Sequence, residues 1–217
     1  MKKTTIQEMH RLTVEEFHEA KKMPLVVVLD DVRSLYNVGS VFRTADAFRV
    51  EAIYLCGITA TPAPAEGARE CTLKASQEIH KTALGAEESV DWKYFPTALE
   101  AVEQLKANGY TVLAVEQCHG SIMLGPSKSP LKGDLDHPGE DLSEALKSPF
   151  KGDLEGPGLE GPYAVVLGNE VKGVHQEVVD ACDACLEIPQ YGTKHSLNVS
   201  VTGGIVIWHF ASHYRQA

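Results

Sequence analysis

Short apolar runs, each closed by glycine, proline or a polar turn, recur along the chain and predict strands buried on both faces. Leu25-Val26-Val27-Val28-Leu29 is the first, and Ala52-Ile53-Tyr54-Leu55-Cys56, ending at Gly57, is the second. Ser89 to Phe95 reads as another strand, followed by Thr111-Val112-Leu113-Ala114-Val115-Glu116. Tyr163-Ala164-Val165-Val166-Leu167 comes after a Gly-Pro break, and Cys185-Leu186-Glu187-Ile188 is stopped by Pro189.

Between these runs the period lengthens to that of a helix. Thr5-Ile6-Gln7-Glu8 and Thr13-Val14-Glu15-Glu16 both fit a capping box, the second leading into a helix from Phe17 through Met23 that Pro24 closes. Asn37 is a natural N-cap, and Val38, Val41, Phe42 and Ala45 form an apolar helical face after it. Thr97-Ala98-Leu99-Glu100 caps a helix that Asn108-Gly109 stops. The final helix, from Leu197 to about Tyr214, carries Val201, Ile205, Val206, Trp208 and Phe210. A helix so apolar needs cover on more than one side, and another subunit is one source of it.

Strand, helix and strand between Leu25 and Cys56 predict a right-handed parallel crossover. The expected class is therefore α/β, a mostly parallel sheet flanked by helices. Residues 1–24 read as an N-terminal helical extension and 25–217 as one domain. Within it, about 118–160 reads as a Pro/Gly-rich acidic insertion. It holds two related copies, Lys128-Ser129-Pro130-Leu131-Lys132-Gly133-Asp134-Leu135 and Lys147-Ser148-Pro149-Phe150-Lys151-Gly152-Asp153-Leu154. A duplication in a surface loop accounts for them; an acidic docking segment for a basic partner is the alternative.

Candidate chemistry sits in three polar stretches. On the helix after Asn37, Gly39, Arg43 and Asp46 share one face, and a glycine one turn before an arginine suggests open space for an anion or a substrate backbone. An Arg43–Asp46 surface ion pair is the plainer account. Gly168-Asn169-Glu170-Val171-Lys172-Gly173 leaves one strand, and Gln190-Tyr191-Gly192-Thr193-Lys194-His195 leaves another before Ser196-Leu197-Asn198-Val199-Ser200 opens the last helix. Ligands in open α/β sheets bind beyond such strand ends. Alone, each loop is also readable as turn punctuation, with Ser196 a helix N-cap. No GxGxxG follows the first strand, which moves NAD enzymes down the list.

Composition narrows the setting. No run is long enough to cross a bilayer, and Met1-Lys2-Lys3-Thr4-Thr5 leads into polar residues, so a soluble cytoplasmic protein is expected. Five scattered cysteines describe no disulfide framework. Cys182-Asp183-Ala184-Cys185 has a zinc or redox spacing, but two small residues entering a buried strand explain it as well. His209 and His213 read as surface or interface residues. A formal net charge of −10 opposes non-specific attraction to nucleic acid, so any RNA substrate requires a local basic patch.

Three segments resemble the signature motifs of the SpoU (TrmH-like) branch of the SPOUT-class RNA 2′-O-ribose methyltransferases. They are Asn37-Val38-Gly39-Ser40-Val41-Phe42-Arg43-Thr44-Ala45, Leu167-Gly168-Asn169-Glu170-Val171-Lys172-Gly173, and Ile188-Pro189 continuing to Ser196-Leu197-Asn198-Val199-Ser200. The resemblance spans Leu25 to the C-terminus apart from the insertion. It implies a SPOUT domain with a C-terminal trefoil knot, a homodimer with sites near the subunit interface, and S-adenosyl-L-methionine held in the knot loops. By motif position Gly168, Ile188 and Leu197 would contact that cofactor, largely through backbone. Asn37, Arg43, Glu170, Ser196 and Asn198 fall on the family's catalytic and substrate-positioning residues. Gln190 departs from the methionine often found after Ile-Pro, and the separate N-terminal RNA-binding domain of many members is not expected here.

The implied activity is 2′-O-methylation of structured RNA, tRNA ahead of rRNA, with no metal and no membrane partner. Arg43 would orient and polarise the ribose hydroxyl, with Glu170 positioning Arg43 or bracing the loop. Asn37, Ser196 and Asn198 would bond ribose, phosphate or each other. The alternative is a non-catalytic RNA- or protein-binding relative retaining the fold.

Overall fold

The computed structural model describes residues 3–5, 7–9, 11–68, 73–124, 161–194 and 196–214. Both copies of the duplicated segment, and His195, lie outside them. Seven strands form one sheet: β1 (Met23–Asp30), β2 (Val50–Cys56), β3 (Asp91–Phe95), β4 (Thr111–Val115), β5 (Ile122–Met123), β6 (Tyr163–Leu167) and β7 (Ala184–Glu187). Their order is β3-β2-β1-β6-β4-β7-β5, and every pairing is parallel. The α/β class expected from the apolar runs is what the chain adopts.

Alternation along β1 divides the core. Leu25, Val27 and Leu29 join one apolar cluster and Val26 and Val28 the other. The first cluster lies under α2 (Leu35–Ala47), α3 (Leu73–Ala83), α4 (Ala86–Ser89) and the last helix, which is α7 here (Val199–His213). The second lies under α5 (Ala98–Ala107) and α6 (Gln176–Ala181). Because all strands run one way, their carboxyl ends share a single edge.

Several boundaries differ from the sequence reading. The capping box at Thr13 forms, but α1 (Val14–Glu19) stops before Met23, which already belongs to β1 with Pro24. Pro24 has no N–H for the ladder, and the β1–β2 register shifts between Met23 and Val26. Ser34, not Asn37, caps α2: its hydroxyl accepts Asn37 N–H at 3.3 Å. Asn198 rather than Ser196 caps α7, accepting Ser200 and Val201 N–H, so that helix begins at Val199. The expected insertion starts within the sheet, since Ile122 and Met123 pair with Leu186 and Glu187.

Helix α3, with few apolar residues, was not anticipated, and it overturns the open space beside Gly39. A Cβ on Gly39 would lie 2.2 Å from both the Ile79 carbonyl oxygen and Thr82 Oγ1. The glycine is there because two helices touch, not because a ligand needs room.

Candidate active site

Four loops meet at the carboxyl edge of the sheet: Asp31–Ser34 after β1, Glu116-Gln117 after β4, Gly168–Val174 after β6 and the stretch from Ile188 to Asn198 after β7. The loop after β6 is fixed from within. Asn169 and Gly173 exchange two backbone hydrogen bonds of 2.9 Å. The Asn169 side-chain oxygen accepts Val171 and Lys172 N–H at 2.9 and 3.3 Å, while its Nδ2 donates to the Asp31 carbonyl at 2.8 Å. A Cβ on Gly168 would stand 2.1 Å from the Gly173 carbonyl carbon and the Val174 nitrogen. Gly168 is therefore required by the turn's own backbone.

Asp30 and His175 tie the same loop down from below. Asp30 is buried at the end of β1, and its Oδ2 accepts the His175 backbone N–H at 3.0 Å and lies 2.9 Å from His175 Nδ1. A buried carboxylate needs such donors. Glu116 supports the other side, its Oε2 accepting Val174 N–H at 3.0 Å. None of these three was singled out from sequence; Asp30-Asp31 closing an apolar strand was the one visible hint.

Above this frame lies a cleft of about 350 Å³, within the range of small-molecule sites. Gly168, Ile188 and Leu197, the three expected cofactor residues, all line it, as do Glu170 and Ser196. Its remaining apolar lining includes Val115, Leu167, Leu186 and Val199.

Beside the cleft, three expected residues form one directional relay. Asn198 Nδ2 donates to Asn37 Oδ1 at 3.1 Å, and Asn37 Nδ2 donates to Glu170 Oε1 at 3.0 Å. The carboxylate also accepts Arg33 and Ser34 N–H, each at 3.1 Å. Helix α7's first amides thus orient Asn198, which orients Asn37, which ends on the acid. Displacing Asn37 from the cap position puts its side chain in the first turn, where this relay needs it. Partial desolvation pushes the Glu170 carboxyl up, but its own backbone amide, that of Arg33, the Asn37 side chain and the Ser34 amide outweigh it. Its pKa falls below the ordinary glutamate value.

Arg43 stands apart. It is exposed on α2 and does not line the cleft. Six residues of helix carry it about 9 Å along the axis and about 120° around from Asn37. Asp46, the partner suggested by the plainer account, accepts instead from the Ser89 hydroxyl at 2.6 Å.

Among the described residues the cysteines do not make a metal site with one another. Among the described residues the group of ligand atoms close enough for an ion is Asp30, Asp31 and His175. Cys185 Sγ lies 3.0 Å from Cys118 Sγ, and burial pushes the Cys182 and Cys185 thiols up to about 12. No helix among the described residues is long and apolar enough to cross a membrane.

Known proteins resemble this arrangement. The chain is 29% identical over 184 residues to the 23S rRNA (guanosine-2′-O-)-methyltransferase RlmB of Neisseria meningitidis, covering 85% of this chain and 56% of that protein. It thus spans little more than half the length of that relative. The solved A. aeolicus TrmH/SpoU tRNA modifying enzyme superposes with a TM-score of 0.64 at 22% identity, over 92% of this chain and 81% of that one. An AdoMet-bound rRNA methyltransferase from Sinorhizobium meliloti gives 0.62 at 22% identity, over 91% and 60%. At that identity the superpositions speak for the fold. The profile of the SpoU rRNA Methylase family matches residues 24–208, nearly the whole sheet and its helices, and the chain belongs to that family.

Proposed function

We propose that this chain is a cytoplasmic S-adenosyl-L-methionine-dependent methyltransferase acting on a ribose 2′-hydroxyl in structured RNA, tRNA ahead of rRNA. The observation that carries the reading is convergence. Gly168, Ile188 and Leu197 line one cleft, and Asn37, Glu170 and Asn198, with Asn37 and Asn198 161 residues apart in sequence, form one relay at its side.

The cleft's apolar lining, with Val115, Leu167, Leu186 and Val199, suits an adenosine-sized group. Gly168, Ile188 and Leu197 would hold the cofactor, which when bound supplies a methyl group already activated on a sulfonium. The chain's own task is alignment and stabilisation of the attacking oxygen. The relay leaves Asn37 and Asn198 with fixed amide orientations, and Ser196 on the cleft wall, able to bond the ribose or its phosphate. Glu170 braces the loop carrying Arg33 and Ser34 rather than gripping Arg43.

Arg43 would stabilise the developing alkoxide as a fixed cation, and its place points to a homodimer. Contacts pair Asn37 with Asn198, Val41 with Gly203 and Phe48 with Trp208, so α2 and α7 lie side by side and parallel. Outward from α7 stand Val201, Ile205 and Trp208, the last 60% exposed. Covering that strip with a second copy would bring α2 of one subunit toward the other's cleft. The order of β6 between β1 and β4, with α7 returning across to α2, supports the trefoil-knotted reading of the C-terminal segment.

Mixed dimers test this. Co-expressed Arg43→Ala and Asn198→Ala subunits should regain part of the turnover each variant lacks alone; complementation absent from an intact mixed dimer refutes the shared site.

A further inference from the structure

The fold treats acids and bases at the mouth of the cleft differently. Glu116, Glu170 and Glu187 all turn into hydrogen bonds with the protein. Glu116 accepts Gln117 and Val174 N–H at 2.9 and 3.0 Å, Glu187 accepts the Ser121 hydroxyl at 2.5 Å, and Glu170 ends the relay. Arg33, Lys172 and Lys194, on the loops after β1, β6 and β7, are exposed, as is Glu170. The lysine ion pairs among the described residues lie elsewhere, at Lys81–Glu78 and Lys106–Asp183. The mouth therefore carries three exposed cations beside its hydrogen-bonded carboxylates, in a chain whose formal net charge is −10.

Tyr191 lies on the same loop as Lys194. It is 85% exposed and follows Gln190, which lines the cleft. The neighbouring Gly192 has nothing within 4 Å of where a Cβ would be, so no part of the described chain crowds the loop there. A tyrosine so open adds nothing to the core, while its ring offers a flat apolar face with a polar tip.

We propose that Tyr191 is a stacking platform for a nucleobase flanking the target nucleotide, with Arg33, Lys172 and Lys194 on the phosphates around it. The inference rests on the RNA methyltransferase reading above and gives that site its substrate rim. Every base has a π-face, so a lone tyrosine selects for an unpaired base rather than for a sequence. Bases inside a duplex have no face to offer, so the target must lie in a loop, bulge or end. The three cations supply the local attraction that the overall charge denies.

The test is fluorescence anisotropy with a labelled RNA hairpin and a blunt duplex of matched length, across a potassium chloride series, with S-adenosylmethionine affinity measured by calorimetry on the same proteins. The hairpin should bind tighter than the duplex. Its log affinity should fall with log salt by about 0.7 to 0.9 per phosphate contact, and Lys172→Ala, Lys194→Ala and Arg33→Ala should each remove about one such increment. Tyr191→Ala should weaken hairpin binding about 5- to 100-fold without changing the slope, with Tyr191→Trp restoring it. Cofactor affinity and sedimentation should not move. Equal binding of hairpin and duplex, an unmoved Tyr191→Ala affinity, or a Tyr191→Ala chain that changes its oligomeric state would each overturn the proposal. A wild-type chain that fails to bind S-adenosylmethionine sinks the methyltransferase reading instead, whatever the RNA result.

Discussion

Two of the loops that line the cleft are built in opposite ways. The one after β6 is held at every turn: by its own backbone pair, by the Asn169 side chain, by Asp30 through His175 and by Glu116. The one after β7 exposes Tyr191, Lys194 and Leu197 and carries a glycine in open space. A rigid wall costs no ordering when a cofactor arrives, whereas a free rim can adapt to a larger partner. The contrast suits the first loop to a fixed cofactor wall and the outer part of the second, Tyr191 and Lys194, to macromolecular contact, with Ile188 and Leu197 still on the cleft.

Removing the cation outside both loops should have the largest effect. Arg43→Ala should lower turnover at least about 100-fold, the scale of losing an electrostatic stabiliser, while calorimetry shows S-adenosylmethionine affinity nearly unchanged. Substantial residual turnover would remove Arg43 from the mechanism.

The glycines sharpen the comparison next. Gly168→Ala forces a Cβ against backbone 2.1 Å away, and should cost about 2–3 kcal/mol in chemical unfolding together with cofactor affinity. Gly192→Ala should stay within about 0.5 kcal/mol of wild type. Equal effects would mean that the two loops do not differ as described.

A smaller effect is expected at Glu170. Glu170→Gln puts an NH2 in place of one carboxylate oxygen, facing either Arg33 N–H or the donors Ser34 N–H and Asn37 Nδ2, and should cost about 1–3 kcal/mol. Its folded-state pKa is depressed, so the wild-type carboxylate contributes its stability above about pH 4.5 and loses it as pH falls through the folded pKa. Unfolding titrations should show that acid-range loss in wild type and a flatter curve in the variant. Smallest is a reactivity measurement: with their thiols pushed up to about 12, Cys182 and Cys185 should alkylate far more slowly at pH 8 than a free thiol.

Much of this was legible in the sequence, and the failures have local causes. Apolar runs such as Leu25–Leu29 announce buried parallel strands because both faces are covered, and the motif residues then fall at the strand ends by topology. Cap positions are ambiguous in the sequence because Ser34 and Asn37, or Ser196 and Asn198, are equally good caps in isolation; at α2 the Asn37 side chain is taken up by a carboxylate 133 residues away. Gly39 was misread because a helical glycine looks the same whether a ligand or another helix needs the space. The Asp30–His175 contact bridges 145 residues and leaves no local pattern. Arg43 was placed correctly on its helix, but which cleft it serves is a question of assembly that one chain's periodicity does not encode.

Where the methyl group goes is the most direct test of a ribose methyltransferase. Incubating the protein with total RNA and methyl-labelled S-adenosylmethionine, then digesting and mapping the label, should place it on the ribose 2′-oxygen of one nucleotide in an unpaired region. Label on a base, or none in RNA from a protein that binds the cofactor, would contradict it.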